Sequence, residues 1–166
     1  RSEVKRNKLE DKVDLRLGSG IEVLKKGEVD EVIIAGMGGI LISELLEAKK
    51  SVAHNLDKLI LQPMQAQDEL RKYLLNNGYE ILNECLEKED FRLYEIIEAR
   101  YTGKNTTIDD EINYEVSQKL IENKDELLAE FIDNKIIEKL GDKNSEAVIF
   151  KRNLANEKIE KLKNLI

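Results

Sequence analysis

Three glycines within four positions, Gly36, Gly38 and Gly39, sit in the run Ala35-Gly36-Met37-Gly38-Gly39, between a short apolar stretch and the start of a helical pattern. Glycine lets a backbone come close to a ligand and adopt angles denied to other residues. In open parallel sheets, ligands bind at the carboxyl ends of the strands, where such a turn would stand. The N–H groups at Gly38 and Gly39 are placed to meet an anion or an electron-rich ring edge. Spacing alone reads equally well as a tight strand-to-helix turn, because a short glycine cluster is a weak motif.

Two further segments share that character. Gly18-Ser19-Gly20 ends an alternating run, Val13 to Leu17, and either lies under a ring or simply turns the chain. Gln62-Pro63-Met64-Gln65 ends another apolar run. Its amides donate and accept, so they can read the edge of a base, while Pro63 also suffices to stop a strand. His54 reads as a surface or capping residue and Cys85 as an inert thiol in a strand. The sequence holds no Ser-His-Asp set, no metal-ligand cluster and no GxxxxGK phosphate loop, which counts against hydrolase and kinase readings.

The elements that must position these residues follow from periodicity. Strands are expected at Val13–Leu17, Glu31–Ala35 and Lys58–Leu61. A helix is expected from Leu41, Ile42, Leu45 and Leu46, and another from Ala66, Leu70, Tyr73 and Leu74 with Asn77-Gly78 as its C-terminal cap. Tyr79–Leu86 and Phe91–Tyr101, joined by the charged residues 87–90, predict a long antiparallel hairpin. The sum is a mostly parallel sheet with a reversed last strand. Beyond Thr102-Gly103-Lys104-Asn105 the strand pattern ceases. Thr107 and Asp110 predict a helix start with Ile112, Val116 and Leu120 on one face. Leu128, Ile132, Ile136 and Leu140 form a second stripe, stopped at Gly141, and Ala155, Ile159, Leu162 and Ile166 a third. Such narrow stripes predict an antiparallel, coiled-coil-like helical hairpin. The expected division is 1–103 and 104–166.

Composition sets the outer bounds. Of 166 residues, 41% are hydrophobic, which suffices for a core, and no apolar run approaches the roughly 20 residues of a membrane span. No leader, metal site or internal disulfide is expected, and the chain reads as cytoplasmic. A formal charge of −7 counts against a polyanionic partner in bulk. From Asp142 onward, however, six basic against four acidic residues leave a local charge of +2. The opening Arg1–Lys8 reads as the tail of an amphipathic helix, so an N-terminal truncation is expected.

Taken together, Asp11 to Gly20, Ala35-Gly36-Met37-Gly38-Gly39, Leu61-Gln62-Pro63-Met64, Glu84 to Glu89 and Tyr94-Glu95-Ile96 resemble one bacterial family, the tRNA adenine-22 N1-methyltransferases, TrmK. The resemblance covers nearly the whole chain. It implies a Rossmann-like methyltransferase domain with a C-terminal helical hairpin, S-adenosylmethionine as donor and tRNA as acceptor. It also implies that two strands, lying between Val13–Leu17 and the strand at Ile33, precede Arg1, which would leave the Val13 strand unpartnered. The family usually carries Asp where this chain has Ser19, and a hydroxyl accepts a hydrogen bond more weakly than a carboxylate. On this reading Gly18, Ser19, Gly20, Ala35 and Gly36 contact the cofactor. Gly36, Met37, Gly38, Gly39, Gln62 and Met64 surround the reacting base, and Lys151, Arg152, Lys158 and Lys161, with Lys163, grip tRNA. The alternatives are methyl transfer to a small molecule or protein, or an inactive Rossmann-like scaffold with a helical assembly module.

Overall fold

The computed structural model describes residues 1–108 and 111–140, the side chains of 136–140 excepted. Helix α1 (Ser2–Arg6) and a short 3-10 turn (Gly20–Val23) lead into β1 (Glu31–Met37), α2 (Gly39–Ala48), α3 (Lys50–Ala53), β2 (Lys58–Pro63) and α4 (Gln67–Asn76). Strands β3 (Tyr79–Glu89) and β4 (Arg92–Tyr101) follow, then α5 (Ile112–Glu115), α6 (Gln118–Asn123) and α7 (Leu128–Leu140). The four strands lie in the order β1-β2-β4-β3. Strands β1 and β2 are parallel, and β4 runs against both β2 and β3. Three strands therefore share one direction and the last is reversed, as the alternation of patterns predicts.

Side-chain periodicity explains the main core. Along β2 the exposure alternates, so Leu59 and Leu61 are fully covered while Lys58 and Ile60 are less so. Ile42 and Leu46 of α2, with Leu70 and Leu74 of α4, repeat at helical spacing and cover that face of the sheet. Gly78, at φ +81°, ends α4 in the left-handed conformation expected of a C-terminal glycine. The hairpin is longer than predicted. Residues 87–89 belong to β3, and only Asp90 and Phe91 make the turn, with Asp90 left-handed at φ +54°.

Two expectations need correction. Val13–Leu17 forms no strand, because no neighbouring strand among the described residues offers it a ladder, and Leu17 stands fully exposed. Arg16 fixes this segment instead, through Asp14, Glu28 and the carbonyl of Val23. The first tail helix is two helices. Val116 is extended (φ −123°, ψ 104°), and Ser117 caps α6 by accepting the N–H of Lys119 at 3.0 Å. The apolar stripe survives the break, since Val116, Leu120 and Ile121 pack with Leu128, Phe131 and Ile132 of α7 against Leu86 of β3. Gly141 and the third stripe, Ala155 to Ile166, lie outside the described residues.

A buried ionic group joins that second cluster to the first. Arg71 of α4 donates Nε to Glu84 of β3 at 2.8 Å, Nη1 to the carbonyl of Tyr114 at 2.8 Å, and Nη2 to Glu95 of β4. Lys135 of α7 reaches the other Glu95 oxygen at 3.3 Å. Burial pushes the Glu84 carboxyl above the ordinary carboxylate range, outweighing the pull of Arg71. The folded state then holds that proton more tightly than the unfolded chain does. Its stabilising share is full in acid and is lost as pH rises through the raised value. In the full-length protein, Arg71→Ala leaves carboxylates buried without their partner and should lower unfolding free energy by about 3–5 kcal/mol. Glu84→Gln keeps an acceptor for Nε, and should cost less and flatten the loss of stability as pH rises above the ordinary carboxylate range. Urea denaturation at several pH values measures both, and equal losses in the two variants would contradict this account.

Candidate functional site

The glycine loop and the Gln62–Gln65 segment leave neighbouring parallel strands at the same rim of the sheet. Ala35 pairs with Gln62 and Met37 with Pro63, and the register slips between them at Gly36. Gly36 has φ +75°, a conformation that favours glycine, and its missing Cβ would point into open space. The backbone N–H freed by the slip is taken by a side chain: Gln62 Oε1 accepts it at 2.9 Å. The same amide donates Nε2 to the sulfur of Met64 at 3.4 Å.

Two backbone bonds lace the segments further. Met64 N–H donates to the carbonyl of Met37, and Gly39 N–H to that of Gln65, both at 2.8 Å. Gly39 opens α2 and is buried so tightly that a Cβ would stand 2.1 Å from the carbonyl oxygen of Ala66. Ala66 itself is left-handed, at φ 54° and ψ 45°, which turns the chain sharply from Gln65 into α4. Gly38 differs, with ordinary angles and only the flexible Gln65 side chain 3.3 Å from its virtual Cβ. Ala35, Gly36 and Met64 are exposed on this rim.

The Gly18-Ser19-Gly20 turn is brought to α2 rather than onto the glycine loop itself. A Cβ on Gly20 would meet Leu45 at 2.8 Å, and the next residue, Ile21, is buried in the main core. Ser19 is exposed, and its side chain caps nothing. His54 caps the C-terminus of α3 and stacks on Tyr101 with ring centres 3.6 Å apart. Burial lowers its pKa, and it belongs to an aromatic group with Tyr79, not to the loop contacts. Burial likewise raises the pKa of Cys85 in β3. Among the described residues no group of His, Cys, Asp or Glu could hold a metal ion, and no helix is long and apolar enough to cross a membrane. Lys151, Arg152, Lys158, Lys161 and Lys163 lie outside the described residues.

The sequence profile of the family "TrmK: tRNA (adenine(22)-N(1))-methyltransferase" matches residues 1–164. The chain belongs to that family. A tRNA (adenine(22)-N(1))-methyltransferase of Bacillus subtilis (strain 168) is 36% identical over 107 residues, which is 64% of this chain and 45% of that relative. The chain thus spans less than half of the curated relative it matches. A Streptococcus pneumoniae protein solved in complex with S-adenosyl-L-methionine superposes with a TM-score of 0.79 at 26% identity, covering 99% of this chain and 73% of that one. The B. subtilis m1A22 tRNA methyltransferase TrmK superposes with a TM-score of 0.73 at 28% identity, over 98% of this chain and 74% of that one. The fold is accordingly the Rossmann-like methyltransferase one.

The roles of three rim residues escape a reading of the sequence. Gln65 and Ala66 shape the rim through backbone groups, which leave no signature in residue type beyond the left-handed turn. Gln62 has a role in holding the glycine loop that spacing does not reveal, since it acts across 26 residues. The packing sets a contrast between two substitutions. Gly36→Ala should cost roughly 1–2 kcal/mol through its left-handed backbone alone. Gly39→Ala should cost at least as much by overpacking, typically about 1–3 kcal/mol, and move α2 away from α4. Thermal unfolding of both variants tests this; a Gly39→Ala protein as stable as the parent would show that the contact yields freely.

Proposed function

We propose that the protein containing this chain transfers a methyl group from S-adenosylmethionine to the N1 nitrogen of an adenine in tRNA. The observation that carries the reading is the slipped Gly36, held open by Gln62 beside the exposed Met64, in a chain of the TrmK family. The open space at the missing Gly36 Cβ fits a cradle for a cofactor and an incoming base. S-adenosylmethionine, when bound, supplies an electrophilic methyl group on a sulfonium centre.

The chain's own residues have a limited task. Adenine N1 is uncharged at neutral pH and carries a free lone pair, so no strong general base is required. The site must take the base from its stack, align N1 and exclude water. The glycine loop allows close approach of the base, since no side chain stands over Gly36. Gln62 keeps the loop in place, and Met64 offers an apolar contact to a flat ring. Ser19, with Gly18 and Gly20, is assigned to the cofactor's adenine end. Residues 1–103 then form the methyl-transfer unit and 104–166 the module that grips tRNA. Within that module the basic residues Lys151, Arg152, Lys158, Lys161 and Lys163 are assigned to phosphates. A cytoplasmic location follows from a tRNA substrate.

The full-length protein should bind S-adenosylmethionine by calorimetry and form 1-methyladenosine in unmodified tRNA by mass spectrometry. Binding without methylation of tRNA would favour another acceptor, and no binding would favour an inactive scaffold. Gly38→Val suits the ordinary backbone angles there, requires only the flexible Gln65 side chain to give way, and places a branched side chain where the base approaches. It should lower methyl transfer at least about a hundredfold and leave cofactor affinity nearly unchanged, since a misplacement of about 1 Å can cost that much. Near-normal turnover in this variant would show that the base does not pass over Gly38.

A further inference from the structure

Beside the rim, and separate from the glycine loop, a groove of about 240 Å³ runs between the segment after β2 and helix α7. Met64, Gln65 and Gln67 line one wall, and Phe131, Asn134 and Lys135 come from α7 on the other. Its volume is below the roughly 300–1,000 Å³ of small-molecule pockets, which suits one base or phosphate rather than a whole cofactor. Three carboxamides converge on it. Gln65 and Asn134 are exposed, and their amides make no hydrogen bond to another described residue, while Gln67 reaches only the Pro63 carbonyl at 3.5 Å. A carboxamide offers donor and acceptor side by side, the pattern presented by the edge of a nucleobase.

The groove also holds a cation. Lys135 lies 5.3 Å from the centre of the Phe131 ring and 3.3 Å from a Glu95 oxygen. Glu95 already accepts from Arg71 through its other oxygen, so a single carboxylate is shared between two cations. The Lys135 ammonium has three donors, so one contact to Glu95, which also lines the groove, leaves it able to donate to an anion. Met64 borders both this groove and the proposed position of the target adenine, so a strand that delivers a base to one passes the other.

We propose that this groove binds the nucleotide next to the target adenine, with Gln65, Gln67 and Asn134 reading its base and Lys135 meeting its phosphate. The assignment rests on the tRNA methyltransferase reading above and adds a specificity-determining subsite to it. Asn134 is exposed and its amide makes no hydrogen bond to another described residue, so replacing it spares the fold, which circular dichroism verifies.

The test uses the full-length protein with unmodified tRNA. Asn134→Glu places an anion in the groove and should raise KM for tRNA about tenfold or more, the loss expected for one displaced contact to a charged strand. Asn134→Ala should raise it less. In both variants kcat and the dissociation constant for S-adenosylmethionine should stay within about twofold, a split that general damage would not produce. A second measurement uses tRNA with an abasic nucleotide on either side of the target. If the groove reads that base, the abasic site weakens binding to the parent and adds little to the Asn134→Ala defect. An unchanged KM in Asn134→Glu, or fully additive losses, overturns the subsite while the parent's activity on tRNA upholds the broader function. A parent protein inactive on every tRNA overturns that function and this subsite with it.

Discussion

A single guanidinium at the centre of the molecule decides how the parts can be arranged. Arg71 is fully buried, and its three donors go to β3, β4 and the backbone of α5. Desolvating a charge costs several kcal/mol, and the arrangement is tolerable only because the partners sit at hydrogen-bond geometry. The fork of a guanidinium has fixed angles, so Glu84, Glu95 and the Tyr114 carbonyl must stand where they do relative to one another. The hairpin therefore cannot slide in register and α5 cannot lift without leaving a buried charge exposed to no partner. Through Glu95 and Lys135 the same constraint extends to α7.

The rim obeys a different economy, built from backbone rather than charge. One residue too many in β1 at Gly36 breaks the ladder with β2, and the side chain of Gln62 repairs it. A bulge of this kind re-aims the strand end. It lifts the peptide at Gly36 away from the sheet and turns α2 to begin at Gly39. Close packing of Gly39 on Ala66 then brings the starts of α2 and α4 together. Glycine is required at two of the three positions for opposite reasons, an unusual angle at Gly36 and lack of room at Gly39.

How much of this could be read from the chain depends on the range of the cause. The apolar runs at Ile33 and Leu59–Leu61, the helical spacing of Leu70 and Leu74, and the cap at Gly78 are local, and each marked its element correctly. Thr107 and Asp110 suggested one continuous helix, yet Val116-Ser117 supplies a separate start that the apolar stripe masked. Val13–Leu17 shows the converse. Alternation states which face a strand would bury but cannot supply the neighbour that makes it a strand. The ion group was invisible for the same reason. Arg71 lies 13 and 24 residues from its carboxylate partners, and nothing in their types distinguishes them from the many surface charges around them. The order of glycine and amide blocks pointed to the family, and it is the bulge that explains why those blocks occur together.

The lacing between the two loops has a kinetic meaning. Gly36, Gly39 and Met64 each give their N–H to the opposite segment, so neither loop can open alone without breaking bonds on both. The backbone there is a fixed frame, and adjustment to an arriving ligand falls to Met64 and Gln65, whose side chains reorient on the picosecond-to-nanosecond scale of exposed rotamers. For the entry that the proposed function places at this rim, the adjustment is two side chains turning, far faster than any hinged lid could swing.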